Sequence, residues 1–88
     1  MTHRADRRAQ LRRFLAQNFL LSDAEFPFAD DASLLEEGVV DSTGVLELIL
    51  FLDETFGVHV DDEEAVPQNL DSVARILDYV ERKLSVAS

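Results

Sequence analysis

Leu11, Phe14, Leu15 and Phe19 recur at helical spacing near the start of the chain, and the pattern predicts an amphipathic helix from about Asp6 to Leu21. Its first turns carry several arginines at the positive end of the helix dipole, so the start is expected to fray. From Ser22 to Asp41 the periodicity breaks. Pro27 forbids an ordinary helix interior, and neither helical nor strand spacing persists. This reads as a long loop, anchored by Phe26, Phe28, Leu34 and Leu35, with Gly38 supplying a turn that a side chain would resist. Helical spacing resumes at Ser42 and holds to Phe56, where Gly57 is the stop signal. Asp61 to Val66 has an N-cap aspartate and an acidic first turn and is closed by Pro67, so a short third helix is expected. Asp71 is placed to cap a last helix, on which Val73, Ile76, Leu77, Val80 and Leu84 form one stripe. No strand pattern competes. The expected fold is all-α: a small four-helix bundle, three main helices plus a short third one, with a long loop between helices one and two. It is read as a single domain over residues 1–88, ordered from about 6 to 84 with frayed ends.

The second helix has more apolar residues than one core face can use. At about 100° per residue, Val45, Leu48, Ile49, Leu52 and Phe56 collect on one side as the core stripe. Leu46, Leu50 and Phe51 fall elsewhere, beside Thr43, Glu47 and Glu54. The long loop is expected to cover Phe51. Leu46 and Leu50 read instead as a partner surface, exposed leucines among carboxylates that would steer a basic protein.

Charge sharpens this picture. The formal net charge is -10, and between Phe14 and Ala74 there are fifteen carboxylates but no lysine or arginine. The cations sit at the ends: Arg4, Arg7, Arg8, Arg12 and Arg13 at one, Arg75, Arg82 and Lys83 at the other. Such a body repels nucleic acid and anionic lipid and attracts proteins with basic faces. With 88 residues there is little room for a buried active site. There is no cysteine, hence no disulfide framework and no thiol nucleophile, and two histidines without a cluster argue against zinc. No stretch reaches the length of a membrane span, and Arg12 and Arg13 interrupt the apolar residues near the N-terminus, which counts against a leader segment. A cytoplasmic monomer is the expectation.

Candidate chemistry centres on Ser42. Serine is among the best N-cap residues, and capping alone would account for it. Glu47 is wrongly spaced to complete a capping box. Gly44 in the first turn weakens the helix by about 1 kcal/mol relative to alanine, an odd choice if the segment served only to start a helix. A hydrolase would need a base near the serine, but the chain offers DSTG with a distant His59 and a His3 in the terminal segment, and no triad follows. Asp61, Asp62, Glu63 and Glu64 lack the spacing of a calcium loop and read as a helix-capping acidic turn.

The stretch GVVDSTGVLELILFLDETFGV, followed by VDDEEAVPQNLDSVARILDYV, resembles the acyl carrier protein family, including the related peptidyl carrier domains. The resemblance extends from about Leu11 to Lys83. The DS pair alone is a weak signal; preceded by SLLEEGVV and followed by an acidic amphipathic helix ending FGV and then NLDSVARI, it is highly specific.

The resemblance implies that Ser42 receives a 4′-phosphopantetheine arm from coenzyme A, installed by a separate transferase that uses magnesium. The arm's thiol would then hold an acyl or aminoacyl group as a thioester, and the carrier itself would catalyse nothing. Asp41 would flank the attachment point, and Gly44 would leave the helix start uncrowded. The start and outer face of the second helix would meet partners through Thr43, Leu46, Glu47, Leu50, Asp53 and Glu54. The implied partners are a phosphopantetheinyl transferase, a loading ligase or acyltransferase, and synthase or tailoring enzymes with basic docking faces. Two departures stand out. Many carriers have leucine directly after the serine, where this chain has Thr43, and EEGVVDS replaces the LGADSL of housekeeping fatty-acid carriers. They point to a carrier for a specialised biosynthetic pathway. The alternative is an acidic adaptor with the same fold and docking face that is never modified.

Overall fold

A computed structural model of the chain describes residues 4–87. His3 therefore lies outside the described residues. Within them the chain forms α1 (Arg4–Phe19), α2 (Gly44–Phe56), a 3₁₀ turn (Asp62–Glu64), α3 (Pro67–Leu70) and α4 (Val73–Ala87), with no strand. The all-helical expectation is met. No helix among the described residues is long and apolar enough to cross a membrane.

The core is the intersection of the apolar stripes. Leu11 and Leu15 of α1, Leu48 and Leu52 of α2, and Val73, Ile76, Leu77 and Val80 of α4 are almost fully buried. Each such side chain contributes about 1.5–3 kcal/mol through removal from water. Helices α1 and α2 run antiparallel: the Phe19 ring lies against Gly44, Phe14 stacks on Phe51, and Gln10 and Thr55 line the same groove.

The first helix begins at Arg4, two residues before the expected start, because its arginines are matched from outside. Arg4 donates to Asp78 at 2.9 Å and to Glu81 at 2.8 Å on α4. These two carboxylates offset the clash of the arginine with the helix dipole. The other end stops at Phe19, short of the expected Leu21, which adopts a left-handed φ of 51°.

Two polar clamps hold the loop. Arg12 donates to the Phe26 carbonyl at 2.7 Å, the Phe28 carbonyl at 3.0 Å and Asp30 Oδ1 at 2.7 Å, with its guanidinium over the Phe26 ring. Arg8 adds a 2.6 Å bond to Asp30 Oδ2. These arginines, Arg8 first, hold the Asp30 carboxyl below its ordinary range. The second clamp is Asp71. Its carboxylate accepts from the Ser33 hydroxyl at 2.6 Å and the Leu35 N–H at 3.0 Å, while its carbonyl accepts the Leu34 N–H at 2.6 Å. Asp71 is therefore not the cap expected for the last helix. Ser72 caps α4 instead, accepting the Arg75 N–H at Oγ (3.1 Å) and the Ile76 N–H at its carbonyl (2.9 Å). Of the four expected anchors, Phe26 and Leu34 are buried and Phe28 is partly buried, but Leu35 is 46% exposed. Val39 and Val40, buried just after the turn at Gly38 (φ 71°), do the work expected of Leu35.

The short third helix also differs from expectation. Asp62–Glu64 makes only a 3₁₀ turn, and Pro67 opens α3 where it was expected to close a helix. The extended backbone of Val66 is what a following proline imposes, and a proline at the first helical position loses no needed N–H. The acidic turn is tied to α4 through Glu64, whose Oε1 accepts from Tyr79 Oη–H at 2.9 Å and Lys83 Nζ–H at 2.8 Å.

That tie gives the stability a defined pH dependence. The Lys83 and Tyr79 hydrogen bonds hold Glu64 at about 2, against an ordinary value of 4.5. A depressed carboxylate stabilises the fold above its unfolded value and loses that contribution as pH falls through the folded one. Glu64→Gln should therefore lower the melting temperature at pH 6, with the gap to wild type closing between about pH 4.5 and 2. Thermal melts across that range check it; a gap that stays constant with pH would contradict the assignment.

Candidate functional site

The start of α2 is built by Asp41. Its Oδ1 accepts the Gly44 N–H at 2.7 Å, and its carbonyl accepts the Val45 N–H at 3.0 Å. Those two bonds are what an N-cap residue makes. Thr43 already has helical dihedrals (φ -76°, ψ -40°) and makes no side-chain cap bond. By hydrogen bonding, the first turn thus runs through Ser42 and Thr43, ahead of the regular helix at Gly44.

Ser42 is accordingly not the cap but the first residue of the first turn, where the second helix was expected to start. Asp41 occupies the capping role, which leaves the Ser42 hydroxyl exposed and without a hydrogen-bond partner among the described residues. The N–H groups of Ser42 and Thr43 likewise find no acceptor among the described residues. An exposed hydroxyl beside two unpaired amides at the positive end of a 13-residue helix suits an attached anion.

The approach to the site is held by backbone hydrogen bonds. Leu34 accepts the Val39 N–H at 2.9 Å and the Val40 N–H at 3.2 Å, so the clamp at Asp71 passes through Leu34 to the residues just before Asp41. Behind the helix start, Gly44 is buried under Phe19 of α1: a Cβ there would meet the Phe19 ring at 2.6 Å. Gly44 was expected to keep the start uncrowded, yet the start is crowded from the core side, and glycine is what lets α1 come so close.

The outer face of α2 matches expectation in exposure. Leu46 and Leu50 are 68% and 55% exposed, and Thr43, Glu47, Asp53 and Glu54 are exposed too. None of Glu47, Asp53 and Glu54 has a cationic partner among the described residues. Phe51 is half-buried, but by α1 rather than the loop: it stacks on Phe14 with centroids 4.1 Å apart and an interplanar angle of 14°. On the other side of α2, a narrow apolar cleft of about 70 Å³ opens between the loop and α3, lined by Leu34, Leu35, Val40, Val45, Val66 and Leu70.

A serine-hydrolase arrangement of Ser42 with His59 is ruled out by placement. His59 follows the far end of α2, and a helix of 13 residues is about 20 Å long. His59 Nε2 lies 3.5 Å from Asp61 Oδ1, at the acidic turn rather than near Ser42. That turn has its own structural work, since Glu64 is engaged by Tyr79 and Lys83. Among the described residues no three acidic or histidine side chains form a metal-binding group.

Sequence reasoning placed Asp41 only as a flanking residue and missed its capping role. Asp and Ser are nearly equal as caps, and each has a backbone N–H three residues on, so the sequence does not distinguish them.

Fold and site together define a small helical domain that presents one free serine at the start of its second long helix. No family model matches the chain. Individual relatives do. The acyl carrier protein of Nitratidesulfovibrio vulgaris (strain DP4) is 40% identical over 53 residues, 60% of this chain and 67% of that protein. The acyl carrier protein of Thermosynechococcus vestitus is 40% identical over 55 residues, 62% of this chain and 65% of the relative. The D-alanyl carrier protein of Abiotrophia defectiva is 29% identical over 55 residues, 62% of this chain and 70% of its own length. The chain belongs to the acyl carrier protein family. The chain spans about two thirds of the length of the curated relatives it matches.

The close approach at Gly44 yields a prediction against helix propensity. Alanine is the better helix former by about 1 kcal/mol, yet Gly44→Ala should destabilise the protein by about 1–3 kcal/mol because the Phe19 ring must move. Urea unfolding measures it; a gain in stability would contradict the packing described.

Proposed function

We propose that this protein is a carrier that holds acyl or aminoacyl groups on a 4′-phosphopantetheine arm at Ser42 and presents them to partner enzymes. The observation that carries the reading is the division of labour at the helix start: Asp41 caps α2, and the Ser42 hydroxyl is left exposed and unbonded. Membership in the acyl carrier protein family supports it.

The residues present fit the group. Ser42 Oγ would form a bond to the phosphorus on the pantetheine side of coenzyme A as the pyrophosphate P–O bond breaks. The nucleoside bisphosphate leaves, and the hydroxyl proton passes to the separate transferase. The unpaired N–H groups of Ser42 and Thr43 would hold the resulting phosphodiester at the positive end of α2. When attached, the arm supplies a terminal thiol that carries cargo as a thioester. The chain itself provides no catalytic side chains; it orients the attachment point and offers the face of Thr43, Leu46, Glu47, Leu50, Asp53 and Glu54 to partners. Those partners would be the transferase, a loading ligase or acyltransferase, and synthase or tailoring enzymes with basic faces, in the cytoplasm. Thr43 and the EEGVVDS sequence suit a specialised pathway.

Two measurements test the proposal. Incubation with coenzyme A, magnesium and a broad-specificity phosphopantetheinyl transferase should add the mass of one phosphopantetheinyl group to the wild type and none to Ser42→Ala. No gain by a folded wild type, beside a working control carrier, would favour an unmodified adaptor. Partner docking should depend on acidic steering around a small apolar centre, so the rate of modification should fall as salt rises. A rate indifferent to salt would remove the steering role of Glu47, Asp53 and Glu54.

A further inference from the structure

Leu21 combines two unfavourable features. It is the one non-glycine residue with positive φ among the described residues, at 51°, and its side chain is 86% exposed. The left-handed conformation is disfavoured for a leucine, and glycine or asparagine ends a helix this way without that strain. Neither packing nor local geometry accounts for an apolar side chain there. The residue lies two positions beyond Phe19, whose ring covers Gly44, itself two positions beyond Ser42. Because α1 and α2 are antiparallel, Leu21 sits at the end of the bundle where α2 begins. Of the exposed carboxylates, Asp41 and Glu47 belong to the same end and Asp23 follows two residues after Leu21, while Glu25 lies back along α1 near Arg8.

We propose that Leu21 is a contact for the enzyme that modifies Ser42, extending the docking surface from Leu46 and Leu50 of α2 onto the end of α1. The inference rests on the carrier reading of Ser42. The occupant follows from reach: an enzyme acting on the arm's distant thiol can stand off from the bundle, whereas the one that forms the bond to Ser42 Oγ must cover the chain around it. Its matching surface is an apolar hollow with a basic rim, set by the exposed leucines and the surrounding carboxylates.

The test uses the full chain, coenzyme A, magnesium and a phosphopantetheinyl transferase, with Leu21→Gly, Leu21→Asn and Leu46→Ala beside wild type. Leu21→Gly and Leu21→Asn should melt at or above the wild-type temperature, because the strain is relieved. Both should nonetheless raise the transferase KM by about fivefold to tenfold with kcat little changed, the mark of a lost binding contact. Unchanged KM in the folded Leu21 variants, with Leu46→Ala impaired, would overturn the Leu21 contact and leave the α2 docking face standing. Unchanged KM in all three would overturn both. A wild type that gains no mass would instead sink the reading of Ser42, and this contact with it.

Discussion

Residues 20–43 form neither helix nor strand, so their backbone groups need partners that regular structure does not supply, and Asp71 is where the last part of that loop finds them. One carboxylate and one carbonyl of this residue bind Ser33, Leu34 and Leu35, and Leu34 in turn accepts from Val39 and Val40. The position of Asp41 follows from that chain of bonds. Arg12 does the same for the first half of the loop, where it bonds two carbonyls and Asp30. A small domain with a thin core can hold a long loop only by such polar clamps, because apolar burial alone leaves the loop backbone unsatisfied.

With the loop fixed, the start of α2 separates two tasks that one serine might have shared. Asp41 satisfies the Gly44 N–H and begins the helix. Ser42 then contributes nothing to the cap and stands in solvent at the positive end of the helix. Gly44 completes the arrangement from behind, since the absence of a Cβ lets Phe19 pack flush and draws α1 against the site. The acidic outer face lies one turn further on. Attachment point and docking face are thus carried by one rigid helix, which fixes their spacing.

Much of this was legible in the chain. The stripes of α1, α2 and α4 follow the 3.6-residue period, and exposure at Leu46 and Leu50 followed from the surplus of apolar residues on α2. What stayed hidden was the choice between adjacent hydrogen-bonding residues. Asp41 and Ser42, and Asp71 and Ser72, are two Asp-Ser pairs in which either member can cap a helix. The first pair was read on the serine and the second on the aspartate; in each case tertiary contacts decided otherwise. At the second, the loop claims the Asp71 carboxylate, a contact across 38 residues that no local pattern announces. Leu35 was misread as an anchor for a similar reason, because a loop has no period to say which leucine turns inward. Pro67 fits either end of a short helix by sequence, and the preceding extended Val66 settles it as a beginning.

Asp41 caps α2, and Ser42 is thereby left free. The most direct test compares the thermal stability of Asp41→Ala and Ser42→Ala in the unmodified protein. Asp41→Ala should cost about 1 kcal/mol, a fall of about 4–8 °C in a domain of this size, while Ser42→Ala should stay within about 0.5 kcal/mol of wild type. A Ser42→Ala variant that loses as much stability as Asp41→Ala would mean that the serine is itself a cap, and the division of labour would fail.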